Sequence, residues 1–208
     1  MAENERPVIV WFRQDLRLAD NPALAAAAKS GRPLLPVYIL DETPGSRAMG
    51  GASRWWLAGS LARLAVALAK RGAKLLLRRG PAGEVLSELV AETNAASIHW
   101  SRCYEPGAIA RDKRVKAGLT ARGISVQSHN AALLAEPWNL KTGTGEAFKV
   151  FTPFWAAFRR DIRIERPLPT PKRLHFHANA LAGDELAAWR CSRGCPEASS
   201  GLAKTSNQ

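Results

Sequence analysis

The sequence predicts an α/β protein: a five-stranded, doubly wound parallel sheet of the Rossmann-like type, flanked by helices. Three observations lead there. Short apolar runs alternate with amphipathic helical stretches at a spacing of roughly 30 residues. The first two runs, VIVWF from Val8 and LLPVYIL from Leu34, hold no charged residue, as parallel strands covered on both faces require. Each run then enters a turn rich in Gly, Pro, Asp or Asn before the next helix.

The elements follow in order. Residues 8–12 form the first strand. A charged turn carries Arg13, Asp15, Arg17 and Asp20. Asn21 is an N-cap and Pro22 the first helical residue, with the helix running to Lys29. Residues 34–40 form the second strand, ended by Asp41, and a Gly/Pro loop follows through Gly51. Ser53 is placed to cap a helix over 55–68, with Trp56, Leu57, Leu61, Leu64 and Leu68 as its apolar stripe. One of Trp55 and Trp56 is expected in the core and the other at a surface or interdomain contact. Gly72 ends that helix. Strand three is expected over 73–77. A helix from Pro81 to Glu92 should turn Val85, Leu86, Leu89 and Val90 inward. Strand four covers 97–100, a charged helix 108–122 is closed by Gly123, and strand five covers 124–128. An aromatic helix is expected within 148–158, then a proline-rich linker over 166–171. The divisions are 7–135 for the α/β domain, 136–180 for a linker with its short helix, and 181–208 for an unstructured tail.

Composition narrows the classes. Net charge is +12 and the pI about 10.4, which favours polyanionic partners. The basic residues are scattered, however, so little specific DNA binding is expected from this segment itself. Three cysteines exclude a complete disulfide framework. The polar, acidic start and the lack of any apolar run near the roughly 18 residues of a membrane span point to a cytoplasmic protein without membrane contact. His175, His177, Cys191 and Cys195 could ligate metal, but their spacing is not a usual zinc pattern, so no metal is assigned. Oligomeric state is left open.

The loop after the first strand carries the strongest signal. WFRQDLRLADNPAL resembles the amino-terminal signature of the DNA photolyase/cryptochrome family, W-[FH]-R-x-D-L-R-x-x-D-N. GGASRWWLAGSL, HWSRCYEP with Ala110-Arg111-Asp112, and KVFTPFW are similar to later blocks of the same domain, in the same order. The resemblance spans Pro7 to about Leu174.

What the resemblance implies is an antenna domain. In the family, FAD in a helical carboxyl-terminal domain repairs cyclobutane pyrimidine dimers in damaged DNA by light-driven electron transfer. The amino-terminal domain holds a light-harvesting chromophore. These 208 residues hold no such helical domain, so no catalytic residue is assigned and no repair is expected from the chain alone. The implied pocket lies at the carboxyl edges of strands one, two and four. Its candidates are Trp11, Arg13, Asp15 and Arg17, then Tyr38, Ile39, Leu40 and Asp41, then Cys103 and Glu105. Apolar walls would cover a flat ring while arginine and carboxylate fix its polar edge. The same residues also suit plain structure: core packing for Trp11, Tyr38 and Leu40, loop bracing for Arg13, Asp15 and Arg17, and a small inert side chain for Cys103.

A deazaflavin, a flavin nucleotide or a folate are the antenna candidates, and an empty pocket is a further alternative. Folate-binding relatives carry Asn-Glu where Gly107-Ala108 stand here, so folate in the usual mode is not expected. A stand-alone chromophore- or nucleotide-binding module, or a cryptochrome-type sensor fragment, is the alternative function. The stretch from Arg190 is Ser/Gly/Cys-rich and aperiodic. Read in another frame it can give a sequence similar to the family's continuation, so a frameshift near Trp189 is expected.

Overall fold

The computed structural model describes residues 5–43, 49–178 and 181–189. The expected tail from Arg190, with Cys191 and Cys195, lies outside the described residues, as does the loop at Pro44-Gly45. The sheet grows outward from Val8–Phe12 (β1), every residue of which is buried. After it come α1 (Pro22–Lys29), β2 (Leu34–Leu40), α2 (Gly51–Ala69), β3 (Leu76–Arg79), α3 (Ala82–Thr93), β4 (Ser97–Ser101), α4 (Pro106–Ala121), β5 (Ser125–His129) and α5 (Phe151–Asp161). All ladders are parallel, in the order β3-β2-β1-β4-β5. The chain steps outward from β1 through β2 to β3, then crosses back to β4 and β5. The switch point between β1 and β4 is where the loops after those strands part and leave a crevice.

The two-residue period of the strands sorts the core into two layers. Ile9, Trp11, Val37, Ile39, Ile98 and Trp100 pack with α3 and α4 residues. Val8, Val10, Phe12, Tyr38 and Leu40 pack with α1 and α2 residues. Val85, Leu86, Leu89 and Val90 of α3 are buried, as the helical period requires.

Several boundaries depart from expectation for identifiable reasons. α2 starts at Gly51, with Gly50 as its N-cap, so Ser53 lies inside the first turn. Only Leu61, Leu64 and Leu68 of its stripe are buried, and Leu57 is half-buried. Trp55 and Trp56 are 53% and 71% exposed, so neither joins the core. They are out of phase with the Leu57–Leu61–Leu64–Leu68 stripe at about 100° per residue. Gly72, at φ +79°, ends the helix. The Ala73 N–H reaches back to the Leu68 carbonyl at 3.1 Å and the Gly72 N–H to Ala69 at 2.9 Å, a Schellman closure.

Strand three begins at Leu76 rather than Ala73 because the β2 groups that earlier pairing would use are taken or missing. The Leu34 N–H and carbonyl are bonded to His175 and His177. Pro36 has no N–H, and by the alternation of β2 its nitrogen faces the β3 side, where Leu34 and Leu40 both make outward bonds. Pairing with β3 starts one residue later, at Val37. α5 starts at Phe151 rather than 148, which puts Pro153 in the first turn, where its lack of an N–H costs nothing.

The region beyond β5 is tied to the sheet. Asp20, at φ +50°, exchanges two hydrogen bonds with Leu168, 2.7 Å from its N–H and 3.1 Å to its Oδ1. Leu34 bonds through both its N–H and its carbonyl to the 175–177 segment, at 2.7 and 2.9 Å. The interval 181–208, expected as an unstructured tail, is described over 181–189, and those residues pack on the sheet. The Asp184 N–H donates to the Leu77 carbonyl on the β3 edge at 2.8 Å. Gly183 passes so close that an added Cβ would lie 2.7 Å from Leu76 Cδ1. Trp189 then lies over Tyr38, ring centroids 5.9 Å apart. The reason is the apolar α2 layer, which Leu186 and Trp189 cover.

Asn21 holds the entry to α1. Its Oδ1 accepts the Leu24 N–H at 2.9 Å, and its Nδ2 donates to the Asp15 and Arg17 carbonyls and to Asp15 Oδ2. Asn21→Ala removes both the cap and a donor to a buried carboxylate. The expected loss is about 2–3 kcal/mol, read as a lower midpoint in chemical denaturation with an unchanged slope.

Candidate functional site

At the switch point, the turn after β1 is built around a buried carboxylate. Asp15 is 5% exposed. Its Oδ1 accepts the Arg13 N–H at 3.0 Å, and its Oδ2 accepts the Ser101 hydroxyl at 2.6 Å and Asn21 Nδ2 at 3.1 Å. Asp15 therefore joins the β1 turn, the end of β4 and the start of α1. Arg17 braces the same turn from outside, donating to the Asp20 and Ala131 carbonyls at 3.0 and 2.9 Å.

The α3–α4 side of the switch point carries a charged network over an indole. Arg13 and Arg111 lie over the Trp11 ring, 4.7 and 5.4 Å from its centroid. Asp112 joins them: Oδ2 takes Arg13 Nη1 at 2.7 Å and Oδ1 takes Arg111 Nη2 at 3.1 Å. Arg111 continues to Asp41 at 3.5 Å. Burial works to raise the Asp41 pKa, but bonds from the Thr43 hydroxyl, the Thr43 N–H and the Ala82 N–H, with the Arg111 charge, hold it below the ordinary range. Burial pushes the Cys103 thiol up, partly opposed by Arg13 beside it. Glu105 is the N-cap residue of α4 and reaches Gln14 at 3.5 Å. A cavity of about 280 Å³ opens beside this network, lined by Asp41, Thr43, Ala82, Arg111 and Arg114.

The structure thus groups Trp11, Arg13, Asp41 and Cys103 around Asp112, with Ile39 in the core layer below and Glu105 at the rim. It separates Tyr38 and Leu40, which face α2. Tyr38 lies under Trp189, and burial pushes its hydroxyl up to about 12. The alternation of β2 makes this unavoidable, since neighbours on one strand cannot face the same layer. Asp15 and Arg17 are occupied as braces.

The central roles of Arg111 and Asp112 are not evident from residue type. A signal existed in spacing: Arg111 stands four residues before Val115 and eight before Leu119, the buried positions of α4. A second cluster lies past β5, assembled from residues that no sequence spacing links. Arg102 donates to Glu136 at 2.7 Å, Tyr104 donates to the same oxygen at 2.6 Å, and Arg102 also bonds Ser128. These side chains and the turn at Asn130 hold loop 130–136 against a larger cleft of about 780 Å³, closed on its far side by 161–168. His129, at its edge, stacks on His99 with planes 10° apart and a 3.1 Å contact between Nε2 and Nδ1. No group of three metal-capable side chains occurs among the described residues, and no described helix is long and apolar enough to cross a membrane.

Fold and switch-point crevice define a class first: a doubly wound α/β domain with its polar network where open sheets of this kind bind ligands. The DNA photolyase family model matches residues 8–172, and the chain belongs to that family as an amino-terminal photolyase/cryptochrome domain. It is 41% identical over 190 residues to a deoxyribodipyrimidine photo-lyase of Agrobacterium fabrum, covering 91% of this chain and 39% of that protein. Cryptochrome-1 of Arabidopsis thaliana is also 41% identical, over 80% of this chain and 25% of its own length. A bacterial class III photolyase structure from Agrobacterium tumefaciens superposes with a TM-score of 0.84 at 40% identity, over 91% of this chain and 39% of that one. The chain therefore spans about two fifths of the length of the photolyases it matches.

The histidine pair gives a pH dependence. Burial lowers the pKa of His99 to about 4, with His129 adding to the shift, and burial and then the Arg102 charge lower that of His129. Between the ordinary histidine value of 6.5 and these lowered values, the unfolded chain binds more protons than the folded one. Stability is therefore full above that range and is lost as pH falls through it. Melting temperature should drop between pH 6.5 and pH 4, and His99→Gln should flatten the drop.

Proposed function

We propose that this chain is the antenna-binding domain of a light-driven DNA repair photolyase, with its chromophore on the α3–α4 side of the switch point. The observation that carries this reading is the network on Trp11: two guanidiniums and two carboxylates beside a cavity, with the Nε and Nη2 of one of those guanidiniums, Arg13, buried without an oxygen or nitrogen acceptor. Buried donors without acceptors are uncommon in a finished core. The donor set suits a flat heterocycle with carbonyl and acid groups. Arg111 and Asp41 would hold its polar edge and Glu105 its rim, and Arg13 would face it from below. The chromophore, when bound, supplies absorption in the near-ultraviolet or blue and passes the excitation on.

A flavin nucleotide or deazaflavin fits this reading better than folate in the usual mode, since Gly107-Ala108 offer neither amide nor carboxylate. FAD, the lesion in DNA and the electron transfer belong, on the family's pattern, to a helical domain beyond the region matched here. The cytoplasm is the compartment that goes with this reading. The second reading, a cryptochrome-type sensor domain, is favoured by the equal identity to a photolyase and a cryptochrome.

The test is reconstitution. Purified protein mixed with flavin mononucleotide, a deazaflavin or tetrahydrofolate should retain one of them through gel filtration, with a near-ultraviolet or blue band. Asp41→Asn and Arg111→Gln should each weaken retention about tenfold, the worth of one charge-assisted hydrogen bond. Retention of none of the three, with the fold intact by circular dichroism, would overturn the antenna reading.

A further inference from the structure

Arg13 is the most deeply buried arginine among the described ion pairs, its side chain 5% exposed. Only one of its nitrogens is spent on a carboxylate: Nη1 meets Asp112 Oδ2 at 2.7 Å. Nε and Nη2 are buried and meet no oxygen or nitrogen acceptor, the one polar neighbour left to the guanidinium being the weakly accepting Cys103 thiol. Those two atoms share one edge of the guanidinium, and their N–H bonds run parallel. That edge is the one that grips two oxygens of a carboxylate or phosphate at once. The face of the same guanidinium is fixed over Trp11 at 4.7 Å, so it cannot turn freely to another partner. The Trp11 and Trp100 indole N–H groups are also buried without acceptors, and the two rings touch edge to face at 5.5 Å. Donors outnumber acceptors at this end of β1 and β4.

Charge is balanced without a ligand. Arg13 and Arg111 are offset by Asp112 and Asp41. What is unmatched is hydrogen-bonding capacity, and leaving a buried charged donor unmatched costs more than an ordinary hydrogen bond returns. A neutral acceptor could meet one N–H. The parallel pair asks for two oxygens on one atom. Arg111, which shares Asp112 and the Trp11 ring with Arg13, lines the cavity of about 280 Å³ and marks the side from which such a group would arrive.

We propose that the Nε–Nη2 edge of Arg13 is a buried oxyanion site, and that it takes the acid group of the ligand bound at the switch point. This rests on the antenna reading for the identity of the ligand, but not for the existence of the site. The acid group can be the phosphate of a flavin nucleotide or the carboxylate of a folate tail. A free small oxyanion has the same chemistry.

The experiment uses the 208-residue chain labelled with ¹⁵N at arginine. The Arg13 Nε–H resonance, assigned by its loss in Arg13→Lys, is followed while formate, inorganic phosphate, riboflavin and flavin mononucleotide are added separately. Lysine keeps a cation beside Asp112 but has no parallel pair of donors. A saturable shift of that resonance with formate or phosphate supports the site and shows that it accepts a free oxyanion. Flavin mononucleotide binding about tenfold tighter than riboflavin, an advantage absent in Arg13→Lys, supports the site and assigns it to the ligand's acid group. No shift with any of the four overturns the site. Equal binding of riboflavin and flavin mononucleotide, unchanged in Arg13→Lys and without any shift from formate or phosphate, also overturns the site while leaving the antenna reading intact. Should Arg13→Lys fail to fold, the Arg13 Nε–H resonance is assigned instead by its nuclear Overhauser contacts to the Trp11 ring, with Arg111→Lys removing the other arginine over that ring, and the wild-type titration then decides.

Discussion

The switch-point end of this domain depends on one buried carboxylate. Asp15 is held by a backbone N–H, a hydroxyl and a side-chain amide, from the β1 turn, β4 and the start of α1. Each donor comes from a different element, so satisfying the carboxylate fixes how those elements meet. Its cost of burial is met by hydrogen bonds rather than by a countercharge, since its close partners are neutral. That leaves the neighbouring arginines free for other work. Had Asp15 been paired with Arg13, the guanidinium would have been spent inside the turn. Instead Asp15 takes the Arg13 backbone, and the Arg13 side chain crosses to Asp112 on α4.

From that constraint the division of the domain into two sides follows. On the α1–α2 side the layer is apolar and closed: Phe12, Tyr38 and Leu40 are buried, and Trp189 covers Tyr38. On the α3–α4 side the apolar layer ends at Trp11 and Trp100, and above it lie alternating guanidiniums and carboxylates. An indole face close to two guanidiniums is favourable electrostatically, because the ring face is negative and water is largely excluded. The polar network thus rests on the core rather than replacing it. Both sides use the same two central strands, and the pleat alone decides which residue serves which.

This sorting explains what could be read from sequence. The strands 8–12 and 34–40, the cap at Asn21 and the inward face of α3 follow from patterns contained within a single element. The start of β3 does not, because it depends on Pro36 in the neighbouring strand and on the 175–177 segment that occupies Leu34. The polar network of the candidate site was legible as a location, the loops after β1 and β4, and several of its residue types were visible. Its wiring was not. Arg111 and Asp112 are charged residues on a charged helix, and their spacing to Val115 and Leu119 sets their face only once those two are known to be the buried positions. Tyr38 and Asp41 looked like members of one cluster because they are close in sequence, whereas strand alternation separates Tyr38 from that network. The histidine pair joins positions 30 residues apart on adjacent strands, a coincidence that register creates and spacing does not announce.

The segment after α5 shows how far the folded unit extends. A proline-rich stretch reads as a linker, and composition gives no reason to tie it down. Yet Asp20 exchanges two bonds with Leu168, Leu34 is flanked on its open side by residues 175–177, and the β3 edge is met by Asp184. The contacts at Leu34 and Leu77 occupy backbone groups that would otherwise be exposed along the outer edge of the sheet, where unpaired strands invite association. Trp189 then adds an aromatic cover to the α2 layer. Residues 166–178 and 181–189 therefore contribute to closing the α/β domain, and the polar network on the opposite face sits on a sheet whose β3 edge they meet.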